Sequence, residues 1–242
     1  AFFSIIPKAV IFCLLFKFLS LAFLTHSPIS SILMTFSGML SVFISSVAAL
    51  YQKKTKRLLA YSAVGHVGFI LLAFSYGNFD SVKSALIYIV IYMITSLGLF
   101  SLLIGFGSYG FLFKYLVTWS FIKKWNIIIS LFLAILLFSA AGIPPLAGFY
   151  SKFNVLMLLV SEERIVLALL LVILSCVSCF FYIRLIKVLF FNLFANNIFF
   201  NRIFSNGFEL PLVISSFFTI FFLIKPESLN NLFSYVTLFF IF

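Results

Sequence analysis

Acidic side chains are almost missing from this 242-residue sequence, which has five Asp and Glu against 16 Lys and Arg, with two His and three Cys. So few acids leave no paired-carboxylate arrangement for general acid/base catalysis, and no Cys/His grouping has metal-ligand spacing. The glycine cluster G-F-G-S-Y-G at 105–110 ends a hydrophobic run and reads as a loop, not as a phosphate cradle. Cys13, Cys176 and Cys179 fall within apolar runs, and C-V-S-C has neither a second Cys pair nor a nearby His. They are expected to be buried as small hydrophobes rather than to hold a metal or a redox pair. Charge of either sign is scarce, at 9% of residues, where soluble domains carry about a quarter. Together with a hydrophobic content of 64%, this excludes a water-soluble fold.

What is present is a series of long apolar runs rich in Phe, 37 in all. That composition fits an AT-rich coding genome such as an organelle's, so a mitochondrial inner membrane is expected, with a bacterial plasma membrane or a thylakoid as alternatives. At about 20 residues per crossing, seven segments fit, near 2–24, 30–51, 58–76, 84–106, 126–160, 165–190 and 210–224. The fold class is therefore an all-α polytopic membrane protein. The tail from Lys225 is short for a crossing and is expected at the interface or against a partner. The opening A-F-F-S-I-I-P-K reads as the inside of a helix, so further chain is expected before it, on this polypeptide or another.

The net charge of +11 is scattered over segment ends instead of forming a stripe, which argues for membrane orientation and against a nucleic-acid surface. Lys53, Lys54, Lys56 and Arg57, then Lys114, Lys123 and Lys124, then Arg184, Lys187 and Arg202 all fall at the even connections. The odd ones hold only Lys83 and Arg164, beside Asp80, Glu162 and Glu163. By the positive-inside rule the even connections face the cytoplasm or matrix, with Lys56 and Arg57 marking that interface.

The fifth segment is too long for one straight crossing and contains S-A-A-G-I-P-P-L-A-G-F-Y-S-K-F at 139–153. Gly142, Pro144, Pro145 and Gly148 predict a broken helix there, because proline removes a backbone donor and frees carbonyls that lipid cannot satisfy. Such a break should be buried in protein or face a wet cavity. Lys152 beside it lies ten residues before Glu162, about 15 Å along a helix and thus near the midplane. His66 lies ten residues after Lys56 and falls at the same depth, and Lys8 sits in the first segment. A lysine near the centre of a crossing costs about 2.5 to 3.5 kcal/mol. One such His could be an ordinary hydrogen-bonded core residue, and one such Lys could snorkel. Three titratable groups in three segments, one of them broken, point instead to a path for protons or cations.

Three stretches carry a family likeness. Y-Q-K-K-T-K-R-L-L-A-Y-S-A-V-G-H-V-G-F (51–69), the 139–153 stretch and F-F-Y-I-R-L (180–185) resemble signatures of the antiporter-like subunits of proton-pumping NADH:quinone oxidoreductase, respiratory complex I. The likeness is to the subunit 2 branch, since subunit 4 resemblance would predict Glu at Lys152 and subunit 5 resemblance an acid at Phe153. The resemblance implies a fourteen-span fold with two inverted five-helix repeats, of which this chain supplies spans eight to fourteen. Residues 1–25 would end the first repeat, 26–190 form the second with its broken helix at 126–160, and 191–242 close the fold. It implies that Lys8, His66 and Lys152 are the lysine of span eight, the histidine of span ten and the lysine of the broken span twelve. It also implies other membrane-arm subunits as partners, with the family's remaining glutamate and lysine on a missing first half. No cofactor is expected on this chain, the flavin (FMN), iron–sulfur clusters and ubiquinone belonging to other subunits. A sodium/proton antiporter subunit and a membrane-arm subunit that no longer pumps are the competing functions.

Overall fold

The computed structural model describes residues 7, 8, 10–15, 17, 28–107, 115–191, 209–222 and 226–241. Among these, helices α2 (Pro28–Leu50), α3 (Thr55–Phe74), α4 (Phe79–Gly107), α5 (Ser120–Trp125), α6 (Ile127–Ala141), α7 (Ala147–Ser161), α8 (Ile165–Phe191), α9 (Glu209–Phe221) and α10 (Pro226–Ile241) follow helical residues 7, 8, 10–15 and 17, here α1. The one β feature among the described residues is an isolated bridge between Lys54 and Tyr115. α2, α3, α4 and α8 are each long and apolar enough to cross a membrane unaided. The segments expected at 30–51, 58–76, 84–106 and 165–190 thus stand within a few residues of their predicted ends. Most of the segment expected at 2–24, and the charges Lys114 and Arg202, lie outside the described residues.

Burial is uneven in a way that places the interior. More than half of α3 and α4 is buried, against about a quarter of α2 and α8. In lipid an apolar face need not be hidden, so the outer helices present Ile, Leu and Phe outwards while Ser and other small residues face their neighbours. Buried serines such as Ser45, Ser62 and Ser139 illustrate this. Ser45 and Ser62 donate to the carbonyl three residues back, which satisfies the hydroxyl within its own helix. The helix ends are pinned by polar contacts. On one side Asn78 donates to Glu162 at 2.6 Å, tying the α3–α4 turn to the α7–α8 turn. On the other, Arg184 donates to the Leu50 carbonyl at 3.1 Å and Lys123 to the Phe190 carbonyl at 3.0 Å. Both cations therefore sit at helix C-termini, where the dipole favours them.

The broken helix has a defined construction. Asn126 caps α6 by accepting from the amides of Ile128 and Ile129, at 2.9 and 3.4 Å. At the other end Gly142 adopts φ +82°, and the amides of Gly142 and Ile143 bond back to Ser139 and Phe138 carbonyls in a Schellman arrangement. After Pro144 and Pro145, α7 restarts at Ala147, and Gly148 lies so close to α6 that its amide reaches Ser139 Oγ at 3.2 Å. The break was expected to be buried in protein or to face a wet cavity; on this chain its flanks Ala141, Ala147 and Gly148 are buried while both prolines are exposed. The freed backbone groups are satisfied from inside, and a proline, lacking an N–H, turns only its ring outwards.

Two further expectations are corrected. Cys13 and Cys176 are exposed and Cys179 half-buried, so the cysteines are not core residues. A hydrophobic run in a membrane protein has an outward apolar face, and Cys13 and Cys176 lie on it. The segment expected at 210–224 holds α9, whose 13 described residues span about 20 Å, while the tail from Lys225, expected at the interface or against a partner, does neither. Beyond it Phe222 packs with Ile87, Ile91 and Ala147, and the tail forms α10, which docks on α4 and bonds Asn230 to Tyr150 at 2.6 Å. The tail thus packs against its own chain. A methyl group on Gly148 would overlap the Ser139 carbonyl oxygen. Gly148→Ala is therefore expected to lower stability by about 1 to 3 kcal/mol through overpacking, read as a lower thermal inactivation midpoint of the assembled protein.

Candidate functional site

Lys152 stands in the first half of α7 and turns back towards the break. Its Nζ donates to the carbonyl of Ala141, the last residue of α6, at 2.6 Å, and the side chain is only 7% exposed. The path of the chain runs under Gly142, where a Cβ would meet Lys152 Cδ at 2.7 Å. The ammonium also lies 5.6 Å from the Phe69 ring centroid on α3, a favourable cation–π distance. The lysine therefore supplies a donor to a carbonyl that the helix break would otherwise leave unbonded in a low-dielectric interior.

His66, in the middle of α3, is held from two sides. Its Nδ1 lies 3.0 Å from the Tyr88 hydroxyl of α4 and its Nε2 lies 3.1 Å from the Tyr182 hydroxyl of α8. A phenol both donates and accepts, so either neutral tautomer finds one acceptor and one donor. Tyr92, one turn beyond Tyr88, places its ring 5.0 Å from the imidazole, and its hydroxyl accepts from Lys8 Nζ at 2.9 Å. Lys8 thereby joins the same cluster from α1.

Two small cavities fill the gaps. One, about 20 Å³, is bordered by both His66 and Lys152, with Ser45, Ser62 and Ser178 on its wall. The other, also about 20 Å³, is bordered by His66 and Tyr92, with Ser62, Thr95 and Ser96. Each has room for about one water molecule and enough polar neighbours to hold it. Lys8, Tyr92, His66 and Lys152 thus form one row, each separated from the next by a hydrogen bond or a water-sized space. Every member can take up and release a proton or pass one through a hydroxyl.

All three titratable residues singled out in the sequence meet here, with Gly142 and Gly148 shaping the break beside Lys152. Lys56 and Arg57 are exposed in the first turn of α3, away from this cluster. Tyr88, Tyr92 and Tyr182 were not foreseen as site residues, although all three are buried. The available signal was the i, i+4 pair in Y-I-V-I-Y (88–92), two phenols on one face of a crossing.

The fold and this row define a polytopic helical membrane protein built around buried titratable side chains. The chain belongs to the NADH:quinone oxidoreductase/Mrp antiporter transmembrane family, whose model matches residues 1–178. It is 36% identical over 229 residues to the NADH-ubiquinone oxidoreductase chain 2 of Marchantia polymorpha, covering 95% of this chain and 46% of that one. To the NADH-quinone oxidoreductase subunit N of a Wolbachia from Brugia malayi it is 37% identical, covering 98% of this chain and 50% of that one. The chain thus spans about half the length of these relatives. A chain of respiratory complex I from Thermus thermophilus shares the fold with a TM-score of 0.73 at 20% identity, over 88% of this chain and 44% of that one.

The bracketing of His66 predicts non-additivity. Tyr88→Phe and Tyr182→Phe should each cost about 1 kcal/mol, and the double variant should depart from their sum by about 0.5 to 3 kcal/mol, because both act on one ring. Thermal inactivation of the four assembled forms measures this, and strict additivity would separate the two phenols.

Proposed function

We propose that this chain is the second half of the proton-translocating antiporter-like subunit of NADH:quinone oxidoreductase, and that Lys8, Tyr92, His66 and Lys152 carry its midplane path. The observation that carries this reading is the row itself, three titratable groups from α1, α3 and α7 joined by phenols and water-sized spaces. Family membership supplies the enzyme: relatives bear the name of an NADH oxidoreductase chain. Flavin, iron–sulfur and quinone chemistry belong, on this reading, to other subunits. A first half carrying a further glutamate and lysine completes the path, in keeping with the half-length match. Residues 1–25 then close the first repeat and 26–190 form the second. The Phe-rich composition and a plant chain 2 relative favour a mitochondrial inner membrane.

In mechanism the row works by displacement of charge. Two positive charges about 10 Å apart at an effective dielectric of 20 repel by about 1.7 kcal/mol. That biases where a proton sits without trapping it. A proton arriving at Lys8 from the first half would thus favour release from Lys152, with Tyr92, His66 and the intervening waters relaying it. The Ala141 carbonyl holds Lys152 at the break, the point where the helix is open enough for a half-channel.

Sodium transport is the competing reading within this family. Lys152 borders one cavity and neither has a carboxylate on its wall, so hydroxyls and an imidazole are all that could replace the hydration shell of a metal cation. Lys152→Met and Lys8→Met complexes that assemble should lose about tenfold or more of coupled pumping in sealed vesicles, equivalent to a barrier raised by about 1.4 kcal/mol. His66→Gln should lower it as well. Unchanged protons per electron in the lysine variants would overturn the assignment, and sodium exchange without NADH oxidation would favour the antiporter.

A further inference from the structure

A second polar site lies apart from the row. A cavity of about 360 Å³ opens between the first turns of α4, the second half of α7 and α10. Asp80, Lys83 and Ser84 border it from α4, Asn154 and Ser161 from α7, and Asn230 from α10. At about 100° per residue, Asn154 points roughly opposite to Lys152 on α7, so this space belongs to a different face of the helix. The Asn78–Glu162 contact and the acidic connections put it on the side opposite the lysine-rich ends.

The cavity offers two open charges and one orphaned acceptor. Asp80 is exposed and Lys83 half-buried, and the side chain of neither has a hydrogen-bond or ion-pair partner among the described residues, so both are free to meet a ligand from the membrane surface. Asn230 gives its Nδ2 to Tyr150, but its buried Oδ1 accepts from nothing described. One anion, one cation and one orphaned acceptor around a common space match a zwitterion with N–H donors. The volume is within the range of small-ligand sites, about 300 to 1,000 Å³.

The same cavity is open sideways. Met157 borders it and is 55% exposed, and Phe149, Phe153 and Val160 continue an exposed apolar stripe along α7. Measured from Glu162, Met157 lies five residues or about 7.5 Å in and Phe149 thirteen residues or about 20 Å in, so the stripe runs from within one leaflet to just past the midplane at Lys152. Phe149 and Phe153 stack with centroids 5.9 Å apart. A polar pocket joined to an apolar track within the hydrocarbon fits a lipid better than a soluble molecule.

We propose that this cavity binds the head group of a phospholipid with a primary ammonium, of the phosphatidylethanolamine class. Its ammonium is taken by Asp80 and Asn230 Oδ1 and its phosphate by Lys83, and an acyl chain lies along Met157, Phe153 and Phe149. A choline head group has no N–H to give and is discriminated against. The assignment needs only the membrane topology and stands independently of the proton path.

The test uses the purified, delipidated complex titrated with dioleoyl phosphatidylethanolamine and read by native mass spectrometry. Saturable binding is expected, weakened about tenfold by Lys83→Met or Asp80→Asn, the loss of one charged hydrogen bond. Dioleoyl phosphatidylcholine should bind about tenfold more weakly, and soluble phosphoethanolamine at matched concentration should not compete. A diazirine-bearing residue at Met157 in the otherwise unaltered complex should cross-link to the lipid, which keeps the test decisive if a charge variant fails to assemble. Equal binding by both variants, full competition by the soluble head group, or cross-linking of position 157 to a neighbouring subunit would each overturn the proposal.

Discussion

The contact from Lys152 Nζ to the Ala141 carbonyl joins two requirements that would otherwise conflict. A helix interrupted inside a bilayer leaves carbonyls without partners, and a lysine inside a bilayer needs an acceptor. Each answers the other, and the ammonium sits where the dipole of α6 is negative. Because the acceptor is a neutral backbone oxygen and not a carboxylate, the lysine is held without a fixed counter-charge. Around this point the remaining geometry is set: Gly142 makes room for the aliphatic stem, Gly148 brings α7 against Ser139, and Phe69 covers the charge from α3.

The helices are organised in two ways. Their ends are fastened by long polar reaches across the surface, Asn78 to Glu162 on one side and Arg184 to Leu50 on the other. Their middles are fastened by phenols that meet a single imidazole from α4 and α8. α3 thus gives one buried hydrogen bond to each of α4 and α8, while its most extensive packing is against α2, and it is among the most enclosed crossings.

How much could be read beforehand depends on which physical signal a residue leaves. Pro144, Pro145 and Gly142 fix the break almost to the residue, because backbone chemistry is local. Lys152 and His66 stand out because a charge at midplane depth is improbable in any fold. The phenols do not stand out: in a Phe-rich sequence Tyr88 and Tyr92 look like two more apolar rings, and only packing reveals what their hydroxyls touch. Cys176 misled for the opposite reason, since hydropathy in a membrane protein says that a residue avoids water but not whether it faces protein or lipid. The division between α9 and α10 was legible at Lys225 and Pro226, which end the apolar run and open a new helix, but the docking of α10 on α4 was not, since a short apolar tail carries no sign of the surface it packs on.

A hydroxyl on each ring nitrogen ties the state of His66 to that of both phenols. On the proposed path, a proton crossing the ring would enter at Nδ1 from Tyr88 and leave from Nε2 to Tyr182, leaving the imidazole in the other tautomer and both phenolic hydrogens reversed. The ring and both hydroxyls would then have to turn back before a second proton could follow in the same direction.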